Sequence, residues 1–251
     1  MYIHVIKTKG NKMAKTIFHA ADKRGHANHG WLNAKHSFSF ANYHDPSKIH
    51  FGALRVLNDD IVAPAMGFGK HPHDNMEIIT VVLDGVLEHA DSMGHTQTIA
   101  PNEVQVMSAG TGVYHSEYNH SKEKPVNLLQ SWIFPATKGV NPSYDQAVFA
   151  PEDRVNKFQT LVSPVGSDDA GLKINQAAWM YRTTLEAGNE VSLSAHSKGH
   201  GFYVFVIEGN VTTTGHDLGK RDALGISEAE TLTITGNTTS DVLVYEVPMY
   251  N

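Results

Sequence analysis

Short strand-forming runs separated by turn residues recur through most of this 251-residue chain, and that rhythm leaves few folds open. Residues 77–83 (EIITVVL) are dominated by β-branched side chains and end at Asp84-Gly85, the strongest short hairpin signal present. Residues 86–89 then read as the returning strand. Further strand signals at 103–107, 126–134, 160–163, 172–176, 178–186, 191–195, 202–208, 231–234 and 241–247 follow, often at roughly 8–12-residue spacing with turn signals between them, which predicts an all-β sandwich or barrel. Residues 202–209 (FYVFVIEG) echo 79–85, so the chain reads as an internal duplication of one β-barrel.

This gives a domain expectation. Residues 1–15 form an unassigned N-terminal arm, 16–140 a first barrel, and 141–251 a second. Residues 135–158, with Pro135, Pro142 and Pro151, read as a crossing segment with little regular structure. Within the apolar run 54–62, Asn58-Asp59-Asp60 reads as a hairpin turn. His26 and His29 fall three apart beside glycines, a loop spacing rather than a strand spacing.

Four residues point to chemistry: His71, His73, His115 and Glu117. They come as His71-Pro72-His73 and His115-Ser116-Glu117. Side chains two apart on a strand share a face, so each pair aims two metal-binding groups at one side of a sheet. If the two strands face each other from opposite walls of a closed barrel, three imidazoles and one carboxylate converge. Neutral imidazoles suit first-row transition metals. Four protein ligands leave positions free on a five- or six-coordinate ion, which predicts a mononuclear site with room for substrate or dioxygen. Pro72 removes a ladder donor, so its segment must be an edge strand, a strand start or a bulge.

The rest of the composition narrows the class. No cysteine is present, so any metal must be held by nitrogen and oxygen, as expected for a cytoplasmic protein. A net charge of −6 without a basic patch argues against direct nucleic-acid binding and against anionic membranes. No run reaches the roughly 18 apolar residues of a membrane span, and residues 1–15 lack a signal peptide's apolar core. Gly110-Thr111-Gly112 lacks the lysine of a phosphate loop. In the second half, His196 and His200 are four apart, and residues 225–229 (GISEA) carry no histidine where a second pair would fall. That half is expected to hold no metal and to pack against the first barrel.

The spacing resembles a cupin, whose first motif combines Gly, His-x-His, Glu and Gly and whose second ends in a histidine. Residues 24–32, 71–85 and 107–119 (MSAGTGVYHSEYN) are together similar to the bacterial pirin family. The resemblance implies two tandem cupin barrels, with one divalent metal in the first held by His71, His73, His115 and Glu117. Iron(II) is the family's first choice, although three histidines and a carboxylate also accept nickel, copper, manganese or zinc. The general cupin pattern would instead make Glu77 a ligand. The pirin arrangement leaves Glu77 a supporting or structural role. Pro101-Asn102-Glu103 stands where a turn glycine is usual, and asparagine tolerates the positive φ needed there.

The resemblance further implies a quercetin 2,3-dioxygenase acting on a flavonol-like aromatic substrate, with Glu117 as general base, or Glu77 if the ligand set differs. The rival expectation is a redox-sensing regulator whose metal tunes binding to a protein partner, a transcription factor or a metabolic enzyme, without turnover.

Overall fold

The computed structural model describes residues 4–7 and 13–250, with side chains from residue 14 onward. Of the arm left unassigned by the sequence, residues 1–3 and 8–12 lie outside the described residues. The protein is all-β and is built as two tandem cupin barrels, each made of one large and one small antiparallel-rich sheet. The large sheet of the first barrel runs Ser143–Val148, Glu103–Ser108, Glu77–Asp84, Val126–Ile133, Leu54–Val62, Leu32–His36, Gly25–Asn28. Its small sheet runs Gly67–His73, Val113–Asn119, Leu87–Asp91, Thr96–Ile99.

The second barrel repeats the plan. In its large sheet Ala223–Ser227, His200–Glu208, Ser240–Pro248 and Trp179–Leu185 lie side by side, as Glu103–Ser108, Glu77–Asp84, Val126–Ile133 and Leu54–Val62 do in the first. Its small sheet, Glu190–Ser194, Thr231–Gly236, Val211–Thr213, His216–Leu218, has the same connectivity as its counterpart. The duplication that is faint in the sequence is plain in the strand order.

Burial explains why the central strands lack a polar face. Ile78 and Val82 point into the first barrel, while Ile79 and Val81 enter a core shared with Tyr203, Phe205, Leu243 and Tyr245 of the second. The two large sheets therefore pack face to face, and a strand buried on both sides reads as a continuous apolar run. A hydrogen bond between Ser131 Oγ and Tyr245 OH, 2.7 Å long, joins the halves inside this core. The second barrel's own interior is filled by Phe202, Val204, Val206, Leu224, Ile234 and Val244. Strands also cross the expected 140/141 boundary: Met13–His19 pairs with Ala223–Ser227 of the second sheet, and Ser143–Val148 with Glu103–Ser108 of the first.

Several local expectations are overturned. Asp84-Gly85 is not a hairpin. Gly85 takes φ +81°, and the chain leaves the large sheet for the small one, so that Leu87–Asp91 pairs with Val113–Asn119 instead of with Glu77–Asp84. A barrel corner and a hairpin use the same turn residues. Asn58-Asp59-Asp60 is not a turn either. All three lie inside the continuous strand Leu54–Val62, flanked on both sides by neighbours, and side-chain partners make the burial of Asn58 and Asp59 tolerable. Asn58 bonds His36 at 2.8 Å, and Asp59 meets Arg24 at 3.1 Å and Arg221 at 3.2 Å.

His26 and His29 belong to a tight hairpin, Gly25–Asn28 with Leu32–His36, and His26 bonds Asn33 on the outer surface. The segment 135–158 contains the strand Ser143–Val148 and a 3-10 turn at Pro151–Arg154. Its prolines bound these elements without preventing them. Asn102 does adopt the positive φ expected of it, at +69°.

Candidate metal centre

The strand Gly67–His73 forms the edge of the small sheet, so Pro72 forfeits no ladder bond on its free side. Its one neighbour is Val113–Asn119, in a register that sets His115 opposite His71. The two ligand-type pairs therefore sit on adjacent, hydrogen-bonded strands of one sheet. They do not face each other from opposite walls, as the sequence led us to expect. The result is still convergence. Cross-strand partners share a face, and a register shift between His115 and Glu117 re-aims the inner part of the strand. Ring centres lie 4.9 Å apart for His71 and His73, 4.4 Å for His71 and His115, and 4.8 Å for His73 and His115.

One nitrogen from each of these three imidazoles falls within 4.8 Å of the other two. Two ligands about 2.1 Å from an ion can be at most about 4.2 Å apart, so small side-chain rotations suffice to close the set. His71 Nδ1 lies 2.7 Å from the Gly69 carbonyl oxygen, to which it donates when it carries the proton, leaving Nε2 as a lone pair. His115 is buried, and neither of its nitrogens has a hydrogen-bond partner among the described residues. A buried imidazole with both nitrogens unpaired suits metal coordination better than it suits an apolar core.

Electrostatics favour neutral imidazoles. Burial, and then His71 and His73, push His115 down to about 2. Burial followed by His71 lowers His73 to about 4. Neutral nitrogen is the ligating form.

Glu117 lies deeper on the same strand and is buried. Its carboxylate accepts two hydrogen bonds from Gln130 Nε2, at 3.1 and 2.8 Å, and Gln130 Oε1 in turn accepts from Trp132 Nε1 at 3.0 Å. Burial raises its pKa against the opposing pull of Gln130 and His71. One of its oxygens lies within 4.8 Å of ligand atoms of His115 and His89, a group that does not include His71 and His73. Glu77 lies elsewhere. It shares the parity of Ile79 and Val81, so it faces the inter-barrel core, where it accepts from Ser108 Oγ at 2.6 Å and from Asn175 Nδ2 at 3.3 Å.

Above Glu117 a cavity of about 210 Å³ opens beside His71 and His73. Phe40, Phe68 and Trp132 give it aromatic walls, and Asn58, Asp60 and Gln130 give it polar points. Trp132 stands edge-on to His73, with ring centres 4.9 Å apart. Sequence reasoning missed Asp60, which it assigned to a turn. Burial, then Asp59 and Glu117, push its carboxyl up to about 8, and Oδ1 has no partner among the described residues. His89 was missed as well, although His89 and Asp91 have the i, i+2 spacing that singled out the other pairs.

In the second barrel His196 and His200 meet through a shared carboxylate. Glu246 lies 2.8 Å from His196 Nδ1 and 2.9 Å from His200 Nδ1, and Trp179 stacks on His196 at 3.9 Å.

Comparison with known proteins settles the family. The Pirin family model matches residues 17–133, and the model described as the quercetinase C-terminal cupin domain matches 160–247. A protein of Escherichia coli K12 named quercetin 2,3-dioxygenase is 43% identical over 228 residues, covering 91% of this chain and 96% of that protein. The chain belongs to the pirin family. A pirin-like protein of Caulobacter vibrioides shares 42% identity with this pirin over 225 residues, 90% of this chain and 96% of the relative. The crystal structure of the Escherichia coli bacterial pirin YhhW in complex with nickel(II) superposes with a TM-score of 0.88 at 40% identity, covering 94% of this pirin and all of that chain. Among the described residues no helix is long and apolar enough to cross a membrane.

Proposed function

We propose that this pirin is a metal-dependent dioxygenase that cleaves the heterocyclic ring of a flavonol such as quercetin, using one divalent ion in the first barrel. The observation that carries the reading is the cluster of His71, His73 and His115, of which His71 and His73 line an aromatic-walled cavity. The names carried by its relatives support the same activity. His71, His73, His115 and Glu117 are the proposed ligands, and iron(II) the proposed native metal. A divalent ion held there would supply Lewis acidity toward a hydroxyl-bearing substrate.

The chain's own residues do the rest. Phe40, Phe68 and Trp132 take the flat aromatic rings and keep water out. Glu117, desolvated and thus more basic than an ordinary carboxylate, accepts the substrate hydroxyl proton at a carboxylate oxygen. Gln130 keeps that carboxylate aimed, and is itself fixed by Trp132.

The test is aerobic incubation of metal-loaded protein with quercetin. Loss of flavonol absorbance with release of carbon monoxide is the expected result. Quercetin binding without loss would instead favour a regulatory role and would overturn the catalytic reading.

A further inference from the structure

Behind the outer cluster lies a histidine that this activity does not use. His89 is completely buried on Leu87–Asp91, directly across the register from Glu117, while Asp91 stands across from His115. His89 Nε2 lies 3.3 Å from Asp91 Oδ2. Asp91 also accepts the backbone N–H of Met93 at 2.8 Å and of His95 at 3.1 Å, and its Oδ2 lies 2.9 Å from His95 Nδ1. A carboxylate surrounded by donors serves as an acceptor, so the His89 proton resides on Nε2. Nδ1 is left as a bare lone pair. It has no hydrogen-bond partner among the described residues. Leaving a buried acceptor orphaned is costly, which calls for a compensating ligand.

The geometry supplies one. One ligand atom each from His89, His115 and Glu117 lies within 4.8 Å of the other two, a limit the outer trio also meets. A carboxylate holding one ring N–H so that the opposite nitrogen faces a metal is the usual support for a ligating histidine. The Gly69 carbonyl does the same for His71. Packing alone would need no such orientation, although Tyr144 covers the His89 ring with centres 4.8 Å apart.

We propose that His89 is a further metal ligand, forming with His115 and Glu117 an inner coordination set for the same divalent ion. The inner set shares His115 and Glu117 with the outer one and exchanges His71 and His73 for His89. The inference rests on the reading of the outer cluster as a metal centre.

The test uses the full chain freed of metal and titrated with nickel(II) by calorimetry, fold being checked by circular dichroism. Wild type binds one equivalent. The double variant His71→Gln/His73→Gln retains one equivalent with weaker affinity, and adding His89→Gln removes it. A double variant that binds no nickel, or a triple variant that binds as the double does, overturns the inner set while leaving the outer centre standing. Wild type that binds no nickel defeats the metal-centre reading itself. Should the triple variant unfold, Asp91→Asn in the double background reads the same arrangement. It weakens nickel binding about 10–100-fold if Asp91 orients His89 as a ligand. Unchanged affinity overturns the proposal.

Discussion

His115 lies directly across the strand register from His71, and their ring centres are 4.4 Å apart. Adjacent strands thus bring together residues 44 positions apart in sequence, at a spacing set by backbone hydrogen bonds rather than by loops. His115 also belongs to both groups of prospective ligands. His115→Ala is therefore expected to abolish stoichiometric metal and activity together. Elemental analysis of the variant, purified without a metal column, checks this, and full metal content would contradict the ligand set.

Glu117 is held by Gln130 and is the proposed proton acceptor. Glu117→Gln should lower turnover by about 10²–10⁴-fold, the usual contribution of general base catalysis, with the fold intact. Steady-state rates on metal-loaded protein at equal metal content separate a lost base from a lost ligand.

Gln130→Leu removes the Nε2 donor that bonds both oxygens of Glu117 while nearly keeping the volume. The buried carboxylate then lacks its Gln130 partner, so the metal-free protein should lose about 1–3 kcal/mol of stability. Urea denaturation of the metal-free protein measures it.

Asp60 gives a pH signature. Burial raises its pKa to about 8, well above the ordinary aspartate value of 3.8. Between these values the folded state binds more protons than the unfolded state, so this group's contribution to stability falls as pH rises from about 4 to about 8. Asp60→Asn should flatten that decline. Denaturant titrations of the metal-free variant and wild type at pH 5 and pH 8 test it, and parallel slopes would contradict the assignment.

Asp59 faces the opposite side of the same strand and bridges Arg24 and Arg221, the latter from the second barrel. Asp59→Ala leaves two largely buried guanidinium groups without this partner and should cost about 3–5 kcal/mol. Thermal or urea unfolding reads the loss.

Much of this was legible in the sequence, and the exceptions share a cause. Dipeptide spacing identified His71, His73 and His115 because strand parity is local. It could not say that their strands are neighbours, since pairing is a long-range property. The Asp84-Gly85 corner looked like a hairpin because turn chemistry does not record which sheet the chain enters next. Asn58, Asp59 and Asp60 looked like a turn because polar residues rarely occupy a central strand. Asn58 and Asp59 do so here because His36, Arg24 and Arg221, all distant in sequence, supply their partners, and Asp60 does so with its carboxyl pKa pushed up by burial. His89 escaped notice because its partner Asp91 marks it only once the strand is known to line the barrel.

Anomalous diffraction at the nickel edge, from crystals grown with nickel(II), tests the central claim most directly. One peak per chain is expected inside the first barrel, within bonding distance of His115 and of at least one further histidine. A peak only at the surface or in the second barrel, or none at full nickel loading, would contradict it.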